Sequence, residues 1–271
     1  MSAPTKAVIL ARGLGSRMRT QAAGVELDAS QSAAADAGVK AMISAGGRPF
    51  LDYVLSALAD AGFTQVCLVI GPEHDIIRDY YESLPKQRIS VSFAIQHEPL
   101  GTANAVLAAE EFAGPDRVLV INSDNYYPSE ALTRLASVAG SAMIGFDKAA
   151  LVSRSNIPAD RIAAFALVST DAEGYLTEIY EKPDPEVLAR LGERAPVSMN
   201  CWLCGPAIFA AARSIPKSAR GEYEITDAVR AAIAAGDPYR VIPVEAGVLD
   251  MSNRGDIASV VAALADREVL L

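Results

Sequence analysis

Apolar runs of strand length alternate with helix-patterned stretches through the first half of this chain, and that order restricts the fold more than any other feature. Runs at Ala7 to Leu10, Val66 to Ile70, Val91 to Ile95, Val118 to Ile121 and Ala142 to Phe146 read as strands. Between them Pro49 to Asp60, Ile76 to Glu82 and Ala103 to Glu111 carry helical periodicity, with Phe50, Leu51, Val54, Leu55 and Leu58 on one face of the first. Strand and helix in alternation predict βαβ units and a mostly parallel sheet. In such sheets ligands sit beyond the carboxyl ends of the strands. Ala11-Arg12-Gly13 and Ser123-Asp124-Asn125 fall there.

The first of these joins is "AVILARGLGSRMRT". A buried strand runs into a loop with two glycines and two nearby arginines, the kind of join that holds phosphates in α/β proteins. It fits neither common template: G-x-G-x-x-G would need glycine where Met18 stands, and no G-K-[ST] follows.

From about residue 150 the rhythm changes. "AAFALVSTDAEGYLTEIYEK" reads as a hairpin and "VSMNCWLC" as a strand. Pro206 to Arg213 and Ile225 to Ala235 read as helices, "YRVIPV" as a last strand and Asp256 to Arg267 as a final helix. The expectation is a single domain over 1–271, with a nucleotide-binding half (1–145) and a mixed α+β half (146–271) for a second substrate. Thr20 to Val39 is small and polar without clear periodicity, and reads as a long surface loop, either a solvated, partly helical insertion or a mobile lid over the site.

Composition removes several classes of function. The 271 residues carry a net charge of −9 and no basic run beyond the opening loop, so nucleic acid is not an expected partner. No apolar run approaches the length of about 18 residues that spans a membrane, and the N-terminus shows no signal-peptide pattern, so a cytoplasmic protein is expected. Three cysteines do not suggest a disulfide framework. "CWLC" has C-x-x-C spacing, yet residues three apart on a strand face opposite ways, so no metal or redox pair is expected. His74 and His97, the only histidines, read as structural or surface groups.

Taken in order, seven segments resemble the sugar-1-phosphate nucleotidylyltransferases. "LARGLGSRM" (10–18) is similar to L-A-x-G-x-G-x-R-[LM]; "KAMISAGGRPF" follows with its lysine, then "QHEPLGTANAV", "INSDN", "EKP" (181–183), "RGEYEITD" (220–227) and "VLDMSNRGD" (248–256). The resemblance implies a Rossmann-like nucleotide-diphospho-sugar transferase fold. It also implies nucleotidyl transfer from a nucleoside triphosphate to a sugar-1-phosphate, with Mg²⁺ as cofactor. "RGEYEITD" is most similar to the thymidylyl branch and "Q…LGTA" to the uridylyl one.

Roles follow from residue types at the corresponding positions. Leu10, Ala11, Gly13, Gly15 and Ser16 would hold the nucleotide, the glycines letting backbone N–H groups approach it. Arg17 offers a planar cationic fork for phosphate oxygens. Lys40, one of only six lysines, is a compact cation for the α-phosphate or the incoming phosphate. Asp124 and Asp250 would share the Mg²⁺, with Asn125 adding an amide beside it. Gln96, Gly101 and Thr102 suit the base, while Thr102 also reads as the cap of the helix beginning near Ala103. Gly145, Glu181, Lys182, Asn200 and Glu222 correspond to sugar-phosphate positions, and Thr226-Asp227 reads equally as a capping pair. Three departures stand out. Arg12 replaces a small residue, Ser123 a glycine, and Trp202 a glycine, where it would form a stacking wall for the sugar. A cytidylyltransferase acting on an alcohol phosphate, which would need neither "EKP" nor "RGEYEITD", and a nucleotide sensor are the alternatives. The sequence leaves sugar and oligomeric state open.

Overall fold

The apolar runs build one mixed sheet whose strands are Lys6–Leu10 (β1), Gln65–Ile70 (β2), Ser90–Ile95 (β3), Val118–Asn122 (β4), Ser141–Phe146 (β5), Leu167–Thr170 (β6), Leu176–Tyr180 (β7), Val197–Cys204 (β8) and Tyr239–Val244 (β9). The structure is a computed structural model that describes residues 3–13, 15–20, 26–163 and 165–271. Strand order is β9-β5-β8-β4-β1-β2-β3. The β6–β7 hairpin attaches where Val197, at the start of β8, meets Leu167. Strands β4, β1, β2 and β3 are mutually parallel, as are β5 and β9, and β8 runs antiparallel to β4 and β5.

Period-two alternation sorts side chains to the two faces. Ala7 and Ile9 of β1, Val66, Leu68 and Ile70 of β2, and Leu119 and Ile121 of β4 join one core. Val8, Cys67, Val69, Val118 and Val120 join the other. Both faces are covered, which is why these strands read as continuous apolar runs.

The helices used below are Ser16–Arg19 (α1), Ala29–Ala37 (α2), Phe50–Asp60 (α3), Asp75–Ser83 (α4), Thr102–Ala108 (α5), Ser129–Ala136 (α6), Ala159–Ala163 (α7), Ala207–Ser214 (α8), Ile225–Ala234 (α9) and Asp256–Leu264 (α10). Side chains of α3, α4, α6 and α10 fill the first core, and those of α5, α8 and α9 the second. The final helix ends at Leu264, short of the expected Arg267, and the stretch expected as one helix to Glu111 breaks at Ala109 into α5 and a separate four-residue helix, Glu110–Ala113.

The stretch from Thr20 to Val39 is partly helical, one of the two readings of the sequence; residues 21–25 lie outside the described ones. The rest contains α2, with a capping box in which Asp28 accepts from the Gln31 backbone while the Gln31 side chain accepts from Asp28 N–H. Its faces differ little in hydrophobicity because Ala, Ser and Asp carry little apolar contrast. The helix is fixed instead by polar ties: Gln31 donates to the Ser44 carbonyl, and buried Arg254 bonds both Asp36 and the Met18 carbonyl.

Cys201 lies in the first core and Cys204 in the second, both free and buried, so the C-x-x-C pair diverges as expected. Trp202 corrects the expectation of a sugar wall. It is fully buried in the second core, edge-on to Tyr239 at 6.3 Å.

A candidate active site at the carboxyl ends of the strands

A cleft of about 360 Å³ opens beyond the ends of β1, β3 and β4. Leu10, Ala11, Arg12, Gly13, Gly15, Ser16 and Arg17 line it from the first loop, Lys40 from the end of the insertion, and Gln96, Gly101, Thr102, Asp124 and Glu222 from later ones. One set of strand ends thus gathers residues separated by more than 200 positions.

The two glycines of the opening loop differ in what they do. A Cβ on Gly13 would meet nothing within 4 Å, so that backbone is open to the cleft. Gly15 has φ +60°, and a Cβ there would lie 2.3 Å from the Gly38 carbonyl oxygen. That crossing lets the chain return from α2 to deliver Lys40. Arg17 is exposed, with no side-chain partner among the described residues, so its fork is free for an anion.

Lys40 and Asp124 form a partly buried ion pair at 2.7 Å. Asp250 reaches them through a two-residue ribbon, in which Leu249–Asp250 pairs antiparallel with Asn125–Tyr126. Its carboxylate accepts from Asn125 Nδ2 at 3.0 Å and Ser252 Oγ at 3.0 Å on Oδ1, and from Arg161 at 2.6 Å on Oδ2. Asn125 therefore lies beside the acidic pair, as expected. Burial, and then the charge of Asp124, push the Asp250 carboxyl up to about 6. Carboxylate oxygens are hard donors, and the effect of the Asp124 charge on Asp250 places the two side chains within electrostatic reach of each other. Among the described residues no group of three or more His, Cys, Asp or Glu side chains suited to a metal occurs. A cation with few protein ligands would have this pair to draw on, with its other positions taken by phosphate and water.

Sequence reasoning missed Arg161. Its guanidinium, on α7, binds Asp250 and also Asp256 at 3.1 Å, while its Nε is buried without a partner. Nothing local marks it, because its partners lie 89 and 95 residues away.

Gly101 and Thr102 have structural duties beside any contact with the base. Gly101 adopts φ +114°, and a Cβ would lie 2.5 Å from the Tyr223 carbonyl oxygen. Tyr223 N–H donates to the Leu100 carbonyl and Ala103 N–H to the Tyr223 carbonyl, stitching "RGEYEITD" onto the rim of the cleft. Thr102 caps a helix, though not its own: its hydroxyl accepts from Ile225 N–H at the start of α9. Thr226 and Asp227 form no cap there, and Asp227 pairs with Arg230. Gln96 is buried, its amide nitrogen donating to the Gly101 carbonyl and to Asn104.

The remaining sugar-phosphate candidates do not line this cleft. Glu181 and Lys182 are exposed on the strand exit after β7. Lys182 and Asn200 are the only non-glycine residues with positive φ among the described ones, at 46° and 55°. Asn200 sits where β8 changes register against β5. Such backbone persists where surroundings over-determine it, which is common near binding sites. Gly145 is not brought to the cleft: it borders a separate hollow beyond β5 and β9, and its Cβ would lie 2.6 Å from Val241 and 2.8 Å from Pro196. Packing accounts for that glycine. His74 is buried with its Nδ1 accepting from Gly71 N–H, and His97 is exposed, in line with structural and surface roles.

A doubly wound sheet with a glycine loop, a lysine and two aspartates at its carboxyl edge defines a nucleotidyltransferase fold. The chain belongs to the nucleotidyl transferase family, whose model matches residues 6–250. It is 26% identical to the low-salt glycan biosynthesis nucleotidyltransferase Agl11 of Haloferax volcanii over 85% of this chain and 58% of that one. It is 27% identical to the UTP–glucose-1-phosphate uridylyltransferase AglF of the same organism, over 93% of both. Its fold is similar to that of a UDP-glucose pyrophosphorylase from Acinetobacter baumannii (TM-score 0.73, 18% identity, 98% of this chain and 95% of the other). The chain thus spans well under two thirds of the first relative's length and nearly all of the second's. No helix among the described residues is long and apolar enough to cross a membrane.

Proposed function

We propose that the protein transfers a nucleotidyl group from a nucleoside triphosphate to a sugar-1-phosphate, releasing pyrophosphate. The observation that carries the reading is the Lys40–Asp124 pair lining one end of a cleft walled by the glycine loop, with Asp250 brought next to it by the ribbon at Asn125. The reaction forms a bond from a sugar-phosphate oxygen to the α-phosphorus and breaks the α–β bridge, with the electron pair leaving on pyrophosphate. The nucleophile is already an oxyanion, so no histidine or covalent enzyme intermediate is needed.

Two anions must be held together, and the chain's residues supply what that demands. Gly13 leaves its backbone open to the triphosphate, Arg17 grips phosphate oxygens, and Lys40 offsets charge at the α-phosphate. Asp124 and Asp250 would hold Mg²⁺, which when bound screens the phosphate charges and fixes their geometry. Arg161, Asn125 and Ser252 keep the Asp250 carboxylate oriented. Glu222 borders the cleft on a segment that an alcohol-phosphate cytidylyltransferase would not need, which favours a sugar phosphate. Glu181, Lys182 and Asn200 would reach the sugar from its far side. A pyrimidine donor, dTTP or UTP, is the base the motifs resemble most.

The experiment is a matrix of nucleoside triphosphates against sugar-1-phosphates with Mg²⁺, read as pyrophosphate release. At least one pair should turn over; nucleotide binding without release for any pair would overturn the reading.

A further inference from the structure

Arg12, the departure from family pattern with no role in that reaction, has a definite place in the cleft. Its side chain is only 9% exposed. Nε and one terminal nitrogen donate to the two oxygens of Glu73, at 3.1 and 3.3 Å, and the other terminal nitrogen donates to the Gln96 carbonyl. Gly71 leaves the room: a Cβ there would lie 2.5 Å from Arg12 Nε. Among the described residues one N–H on each terminal nitrogen is left without an acceptor. The guanidinium is thus fixed, nearly buried and still able to donate, at a position that lines the cleft.

The strand order says which part of a nucleotide it meets. Lys40 and Asp124 mark the phosphate end, above β4, whereas Glu73 and Gln96 follow β2 and β3 on the far side of β1. A nucleotide with phosphates at the first end extends its base toward the second. The part of a base most distant from the ribose is position 4 of a pyrimidine or 6 of a purine. Uracil, thymine and guanine carry an oxygen there; cytosine and adenine carry an amino group. Guanidinium has donors only, so an oxygen is bound and an amino group is set donor against donor.

On the reading above of the cleft as a nucleotide site, we infer that Arg12, held by Glu73 and the Gln96 carbonyl, is a specificity-determining residue that selects donor nucleotides with an exocyclic oxygen on the distal edge of the base. A charge-assisted hydrogen bond of this kind corresponds to roughly 10- to 100-fold in affinity.

Binding of UTP, dTTP, GTP, CTP and ATP to the wild type, Arg12→Ala and Glu73→Gln, measured by calorimetry without the sugar phosphate, tests this. The wild type should bind its best oxygen-bearing nucleotide at least about tenfold more tightly than CTP or ATP. Arg12→Ala should weaken that nucleotide by roughly 10- to 100-fold and leave CTP and ATP within about threefold, closing the gap. Glu73→Gln changes an exposed side chain, keeps the core intact and should narrow the gap several-fold as Arg12 loses a charged partner. Equal losses for all five nucleotides would reduce Arg12 to a strut for the loop, and a wild type that binds CTP or ATP as tightly as the rest would end the proposal. Selective binding without pyrophosphate release would sink the transfer reaction and leave Arg12 standing; release without base preference would do the reverse.

Discussion

Lys40 illustrates how one side chain serves two states. In the free protein it neutralises Asp124 at 2.7 Å, so a partly buried carboxylate has a partner before substrate arrives. In the proposed reaction the same ammonium would lie at the junction where charge accumulates during transfer. Lys40→Ala should therefore lower kcat by roughly 10²- to 10³-fold, the scale of a lost electrostatic contact to a transition state. Nucleotide affinity should change far less. Single-turnover rates set against nucleotide Kd check this, and equal losses in both would remove Lys40 from the chemistry. Most of the first-half cleft lining was legible because it follows buried strands at recognisable motifs, Lys40 being read from its motif alone. Arg161 was not, since an arginine's value here depends on Asp250 and Asp256 being folded against it.

At the scale of elements, α3 carries a polar residue on its buried face. Asp52 is fully buried, accepting hydroxyl bonds from Tyr81 and Tyr80 at 2.8 Å each. Burial raises its carboxyl above the ordinary 3.8, outweighing the lowering effect of those two bonds and of Arg48. The folded state thus holds the proton more tightly than the unfolded chain. Its contribution to stability is present below pH 3.8 and is lost as pH rises through the raised value. Asp52→Asn keeps an acceptor and removes the charge, so its stability relative to wild type should rise between pH 4 and pH 7. Denaturant unfolding at both pH values decides, and a difference that stays constant or falls would contradict the assignment. Strands and large helices were readable because burial on one or both faces leaves a periodic trace. Helix α2 left none: its Ala-, Ser- and Asp-rich face makes few apolar contacts, and its capping box and the Arg254–Asp36 tie hold it.

On the scale of the whole molecule, one sheet joins the halves that the sequence divides near residue 145. Strand β8 enters beside β6 and leaves beside β4, and "RGEYEITD" is stitched to the cleft's rim through Leu100 and Ala103. Trp202 belongs to this shared core. The motif pattern suggested a sugar wall because it places the residue on the right strand. The pattern could not reveal that the strand shifts register at Asn200 or that Trp202 packs into the second core. Trp202→Phe should cost about 1–3 kcal/mol of stability and leave the KM for the sugar phosphate unchanged. Thermal unfolding and initial rates separate the two; an altered KM would return Trp202 to the binding surface.

The central claim is that nucleotidyl transfer occurs where Asp124 meets Lys40 and Asp250. Pyrophosphate release with Mg²⁺, compared between wild type and Asp124→Asn at matched thermal stability, tests it most directly. Turnover in the wild type and none in the variant, with both folded alike, is the predicted result. Undiminished release by Asp124→Asn would contradict the account.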